Sequence, residues 1–198
     1  HAAVARLLIE HKVSIDKAYN NGSTPLYISC ENGHAKVAGL LIEHKASIDK
    51  AQRDGFTPLL IACQKDHATM AGLLIDHKAS IDKAMNDGFT PLFIACQQGH
   101  AAMAGLLIEH KASIDKAKNN GATPLGLASA NGHAAVAGLL IEHKASIDKA
   151  MNDGATPLFT ACAQGHAALA GLLIEHKASI DKAMSNGYTP LHIACQQG

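Results

Sequence analysis

Thirteen histidines, five cysteines and seventeen carboxylates give this chain ample material for metal binding or acid–base work, and almost all of it is laid down periodically. The histidines form two ladders, His34, His67, His100, His133 and His166, and His11, His44, His77, His110, His143 and His176. Within one period the two ladders are ten residues apart, about 15 Å along a helix, too far to share an ion. Between periods the separation is about one helix-packing distance, roughly 8–10 Å, whereas a zinc ligand sits about 2 Å from its metal. The spacing therefore predicts packing and hydrogen-bonding histidines, with no metal site and no cofactor. Cys30, Cys63, Cys96, Cys162 and Cys195 share one column, with Ser129 in the remaining period. Stacked periods stand farther apart than the roughly 4.4–6.8 Å that separates the Cα atoms of a disulfide. Small buried thiols in a reducing, intracellular and cytoplasmic setting are the expectation. Paired carboxylates such as Glu43 and Asp49 also recur. A catalytic pair is singular, so copied pairs read as a solvated pattern. With no Gly-rich phosphate loop and no nucleophile elbow, no catalytic residue is assigned and the chain reads as a non-enzyme.

The elements that carry these residues follow from the period itself. Thr-Pro falls at Thr24, Thr57, Thr90, Thr123, Thr156 and Thr189, each 33 residues after the last, without insertion or deletion. Residues 85–117 and 151–183 differ only at Phe89/Ala155, Ile94/Thr160, Gln97/Ala163 and Met103/Leu169. In the period from Tyr19 to Ala51, Asn20–Gly22 is a turn signal and Thr24-Pro25 is an N-cap followed by a proline suited to the first helical position. Gly33 ends this short helix, and His34 is expected to open a second one. Val37, Leu40, Leu41 and His44 lie at helical spacing on one face. No segment is long enough to build a sheet. Helix pairs this short cannot bury their apolar faces alone and must lean on their neighbours.

Composition agrees. Nearly half the residues are apolar, but aromatics are scarce and there is no Trp, as expected of small helices packed by Ala, Leu and Ile. Seventeen basic residues balance seventeen acidic ones. This even charge argues against a nucleic-acid partner. No run approaches the length of a membrane-spanning helix, so direct membrane insertion is not expected and the chain reads as soluble.

The repeated pattern G-x-T-P-L-x-x-A-x-x-x-G-H followed by L-L-x-x-x-x-A resembles the ankyrin repeat family over essentially the whole chain. The resemblance implies an all-α repeat protein, an ankyrin-type solenoid of stacked helix-turn-helix units with β-turn fingers. It also implies an inner helix lining a concave face, an outer helix on the convex face, and binding of another protein in place of chemistry. The chain reads as one array. Full units span 19–51, 52–84, 85–117, 118–150 and 151–183, with partial units 1–18 and 184–198. Because neither partial unit reads as a polar cap, a longer parent array is expected. Two columns depart from the family. Lys12, Lys45, Lys78, Lys111, Lys144 and Lys177 stand where glycine usually ends the outer helix. The histidine of the TPLH tetrapeptide survives only as His192, its place otherwise taken by Tyr27, Leu60, Phe93, Gly126 and Phe159.

In a duplicated array the informative columns are those that vary, and all seven aromatics lie in them. Tyr19 stands beside a turn, Phe56, Phe89 and Tyr188 follow the turn glycine, and Tyr27, Phe93 and Phe159 follow TPL. By the resemblance these positions are finger tips and concave helix face. Together with Leu60, His192 and the polar Arg53, Gln64, Lys65, Gln97 and Gln98, they form the expected partner-binding surface, since aromatic anchors dominate interfaces. In the fourth unit Ala122, Gly126, Ser129 and Ala130 replace larger residues, which would leave a notch. The small-residue outer helix allows a second role, packing of the convex face within a larger assembly. A third is an accessory segment of an enzyme or channel.

Overall fold

The computed structural model describes residues 1–197. Twelve helices cover them, with no strand among the described residues. The first helices of successive periods are α2 (Pro25–Glu31), α4 (Pro58–Gln64), α6 (Pro91–Gln98), α8 (Pro124–Ala130), α10 (Pro157–Ala163) and α12 (Pro190–Gln197). The second helices are α1 (Ala2–Glu10), α3 (Ala35–Glu43), α5 (Ala68–Asp76), α7 (Ala101–Glu109), α9 (Ala134–Glu142) and α11 (Ala167–Glu175). The contacts fall into two compact units, His1–Ile94 and a second from Ala95 onward.

Thr-Pro fixes where the first helices begin. Thr24 is extended, and its Oγ1 accepts a hydrogen bond from the Tyr27 amide at 3.1 Å. Thr57, Thr90, Thr123 and Thr156 make the same bond to Leu60, Phe93, Gly126 and Phe159 at 3.2, 3.3, 3.1 and 3.2 Å. Such a cap contributes about 1 kcal/mol, a large share of what a two-turn helix needs. The second helices start one residue later than expected. His34 is their N-cap with ψ 67°, makes no side-chain cap bond, and α3 begins at Ala35.

In the first unit α2 packs on α3 and α4, α4 on α5, and α3 on both α1 and α5. In the second unit α8 packs on α9 and α10, α10 on α11 and α12, and α9 on both α7 and α11. Leu26, Cys30, Leu59, Cys63, Met70 and Leu74 are buried in one, and Met103, Leu107, Leu125, Leu140 and Leu158 in the other. Burying one such side chain is worth about 1.5–3 kcal/mol. Within α3 the buried residues are Ala38, Leu40, Leu41 and Ile42, while Val37 is half-buried and His44 is exposed. Leu40 and Leu41 of the expected face are thus buried, and Ala38 and Ile42 are covered more fully than Val37 and His44.

The lysine column closes each second helix in the left-handed conformation. Lys12, Lys45, Lys78, Lys111, Lys144 and Lys177 have φ between 60° and 70°. At Lys45 the amide donates to Ile42 O and the Ala46 amide reaches back to Leu41 O, both at 2.9 Å. This double closure satisfies two carbonyls that the helix leaves open, and Ala46 is buried beneath it.

The carboxylates of the Ser-Ile-Asp-Lys segment are not merely solvated, as their copying implied. Asp16 Oδ1 accepts from the Ser47 amide at 3.0 Å, its carboxylate also takes the Ser47 hydroxyl, and Lys50 Nζ donates to Asp16 O at 3.0 Å. Asp49 ties Ser80 and Lys83 in the same way, Asp115 ties Ser146 and Lys149, and Asp148 ties Ser179 and Lys182. The spacing of 31 residues from Asp to Ser is constant. It is the readable signal of a tie between adjacent repeats.

Candidate functional site

Each finger is a tight turn closed by glycine. Gly22 donates to Tyr19 O and Tyr19 to Ser23 O, both at 2.9 Å, with Gly22 at φ 93°. A residue with a side chain is strained at that φ, which explains why the turn keeps glycine. Adjacent fingers are joined through their backbones. In the first unit Arg53 N donates to Asn21 O at 3.2 Å, Asn86 N to Asp54 O at 3.4 Å and Asn86 Nδ2 to Arg53 O at 3.2 Å. In the second, Asn152 N donates to Asn120 O at 3.0 Å and Ser185 N to Asp153 O at 2.8 Å. These bonds hold the finger side chains on a common ribbon within each unit.

The expected binding residues divide into two groups. Tyr19 (71 % exposed), Arg53, Lys65, Gln98, Tyr188 (40 % exposed) and His192 lie on the surface, and Phe56, Gln64, Phe89 and Gln97 are half-buried. Tyr27, Leu60, Phe93 and Phe159 are buried and present almost no surface. The residue after TPL is the third of its helix, and its amide is the one that the threonine caps. That side chain turns into the core, so these four serve packing. The Phe93 ring meets Phe89 edge to face at 5.4 Å. Tyr27 Oη accepts from Gln52 Nε2 at 2.7 Å, and Gln52 Oε1 accepts from Ser23 Oγ at 3.3 Å, so the phenol braces two fingers. Burial first, and the negative charges of Glu31 and Asp54 next, push the Tyr27 phenol up to about 12. At the surface Thr189 Oγ1 and His192 Nδ1 are hydrogen-bonded at 2.7 Å, and Tyr188 lies over the imidazole at 5.7 Å.

The first histidine ladder is bonded from repeat to repeat. Nε2 of His67 donates to Glu31 O at 3.2 Å, that of His133 to Gln97 O at 2.9 Å, and that of His166 to Ala130 O at 3.2 Å. Each acceptor is at or beside the end of the preceding first helix, where carbonyls lack helical partners. The rings also crowd the turn glycines. A Cβ on Gly99 would lie 2.7 Å from His133 Nδ1, and one on Gly132 would lie 2.7 Å from His166 Cε1. Among the described residues no three His, Cys, Asp or Glu side chains converge on a possible metal position.

All five cysteines are free thiols. Cys30, Cys63 and Cys96 are buried, Cys162 is half-buried and Cys195 is exposed. Desolvation pushes the Cys30 thiol up to about 12 and those of Cys63 and Cys96 higher still, so they are poor nucleophiles. In the fourth repeat Ala122, Gly126 and Ser129 are buried and Ala130 half-buried. A Cβ on Gly126 would meet only Thr123 Oγ1, at 3.4 Å, and Ser129 Oγ is buried with no hydrogen-bond partner. No helix among the described residues is long and apolar enough to cross a membrane.

Comparison with protein families matches a model of ankyrin repeats, in three copies, to residues 1–85, 78–151 and 146–198. Among solved structures, the ankyrin repeat domain of Bcl-3, described as a unique member of the IkappaB protein family, is similar. The TM-score is 0.87 at 26 % identity, over 98 % of this chain and 87 % of that one. A comparison with curated proteins gives no match.

Proposed function

Because the chain belongs to the ankyrin repeat family, whose repeats are generally protein-interaction modules, we propose that it is a non-enzymatic scaffold gripping a partner protein with its fingers and the ends of its first helices. The observation that carries this reading is the finger ribbon of the first unit. There Tyr19, Arg53 and Phe56 stand on turns joined by backbone hydrogen bonds, with Tyr19 and Arg53 exposed and Phe56 half-buried. A ribbon held in this way presents aromatic and guanidinium groups with little loss of conformational freedom on binding, which is the physical condition for an anchor. Lys65 and Gln64, at the end of α4, supply polar contacts beside it.

The test compares partner capture by the intact chain with capture by two variants. In one, Tyr19, Arg53 and Phe56 are replaced by Ala; in the other, the outward Lys36 and Thr69 of the second helices are replaced. Loss of the captured partner only in the finger variant, at unchanged helicity, is the expected result. Loss only in the second-helix variant would overturn the reading in favour of the outer face.

A further inference from the structure

Five Asn-Gly pairs occur in the chain, and the fold sorts them into two chemical settings. Asn21-Gly22, Asn120-Gly121 and Asn186-Gly187 are at finger turns, whereas Asn32-Gly33 and Asn131-Gly132 follow α2 and α8. At the helix ends the carboxamide is folded back. Asn32 Nδ2 donates to Ile28 O at 2.8 Å and Asn131 Nδ2 to Leu127 O at 3.0 Å, with both backbones near the helical region at φ −98°. At the fingers it is turned forward. Asn21 Oδ1 accepts from the Ser23 amide at 2.9 Å, Asn120 Oδ1 from Ala122 at 3.1 Å and Asn186 Oδ1 from Tyr188 at 3.1 Å.

We infer that Asn21, Asn120 and Asn186 are sites of spontaneous modification by water, deamidating through a cyclic imide to aspartyl and isoaspartyl residues on the finger ribbon. The glycine amide nitrogen gives its proton to solvent base and attacks Cγ of the preceding Asn. The new N–Cγ bond expels Nδ2 as ammonia, and water then opens the ring at either carbonyl. The net change is carboxamide plus water to carboxylate plus ammonium. The N–H that already donates to Oδ1 is placed where negative charge develops on that oxygen during attack, as an oxyanion donor is. At the helix ends no such donor faces Oδ1, and the leaving Nδ2 is tied to a carbonyl. The finger glycine amide itself donates at 2.9 Å to Tyr19, Lys118 or Met184 O. All three asparagines are exposed, and opening this one turn frees the finger nucleophile. Asn32 and Asn131 are exposed as well, and Gly33 N donates to Cys30 O only at 3.4 Å. The two settings therefore differ in the Oδ1 donor and the Nδ2 tie and not in access to the nucleophile.

The aspartyl product already has a template in the chain. Asp54, Asp87 and Asp153 occupy the same turn position, and Asp87 and Asp153 Oδ1 accept from Phe89 and Ala155 amides at 3.4 and 3.0 Å. The isoaspartyl product adds a carbon to the main chain and does not fit the turn. Each event places one negative charge on a chain whose formal net charge is zero. This chemistry depends on turn geometry alone and stands whether or not the fingers bind a partner.

The test incubates the whole chain at mildly alkaline pH, natively and in denaturant, and follows conversion by mass spectrometry, with fragment ions locating the exchange of NH for O. Isoaspartyl residues are counted by enzymatic methylation. In denaturant the five sites should convert at similar rates. In the native chain Asn21, Asn120 and Asn186 should lead Asn32 and Asn131 by about fivefold or more, the effect of one hydrogen bond on a rate. Equal native rates, or faster conversion at the helix ends, would overturn the inference. A chain carrying Asn21→Asp, Asn120→Asp and Asn186→Asp should keep the native helicity and melting temperature; a marked drop would refute the fit of the product.

Discussion

Ser129 is the position at which copying left a polar atom without a bond. Its column holds cysteine in the other five periods, and a buried thiol tolerates an apolar setting that a hydroxyl does not. Ser129→Ala should therefore stabilise the chain by about 1 kcal/mol, the penalty of a buried unsatisfied hydroxyl. Equilibrium unfolding in urea reads this directly, and a loss of stability would mean that the hydroxyl has a bond in solution. The lysine column makes the opposite kind of residue-scale case, because two effects nearly cancel. At Lys78, φ 68° costs a residue with a side chain about 1 kcal/mol or more that glycine avoids. Against this stand the cation at a helix C-terminus, worth about 0.3–1 kcal/mol, and the greater freedom of glycine in the unfolded chain. Lys78→Gly should shift stability by less than about 0.5 kcal/mol. Lys78→Val, whose branched side chain resists positive φ, should lose more than about 1 kcal/mol in the same urea titration.

Glycine within and between elements obeys two different rules, and the structure tells them apart. Inside α5, Gly72 has a normal helical backbone, and a Cβ there would meet nothing within 4 Å. Gly72→Ala should raise stability by about 0.5–1 kcal/mol through helix propensity alone, measured by thermal unfolding. Gly99 is in the turn after α6 at φ 75°, facing the His133 ring. Gly99→Ala should lose at least about 1 kcal/mol, both through strain and by pushing His133 from Gln97 O. The tie from Asp49 to Ser80 is the matching case between repeats. Asp49→Ala removes the acceptor for the Ser80 amide and hydroxyl, so hydrogen exchange at the Ser80 amide should accelerate while the α4 amides keep their protection. Acceleration spread evenly over α4 would show that Asp49 supports the whole unit and not the tie alone.

At the scale of the whole molecule, the 33-residue period made the fold legible, because it marks the start of each first helix, places the second helices to within one residue, and shows the turns and the need for neighbours. Of the proposed finger surface, the sequence marks the columns but not which of them are exposed. Variation between copies points to Tyr19, Arg53 and Phe56, which reach the surface. It does not separate them from Tyr27, Leu60, Phe93 and Phe159, because variation marks columns and only packing decides which members are covered; His192, in the same column as these four, is exposed. Hydrogen-bonding histidines were expected, but their carbonyl acceptors and the Asp-to-Ser bonds were not read, for a related reason: periodicity equates residues but does not say which of them meet across a repeat boundary. The cysteine column turns the same regularity into a property of the entire chain. Cys30, Cys63 and Cys96 are neutral when folded, with thiols raised by desolvation from a reference near 9.0, to about 12 for Cys30. In the unfolded chain they ionise near the reference value, so the unfolded state holds fewer protons than the folded one once the pH exceeds about 9. Stability contributed by these thiols is complete below pH 9 and declines as the pH rises towards 12, the reverse of a buried salt-bridged carboxylate. Each thiol should lower the free energy of unfolding by about 1.4 kcal/mol per pH unit in that window. Urea midpoints measured from pH 8 upwards should fall with this slope, and Cys63→Ala should flatten it by one thiol's share. An unchanged slope in that variant would mean that Cys63 already meets solvent in the native state.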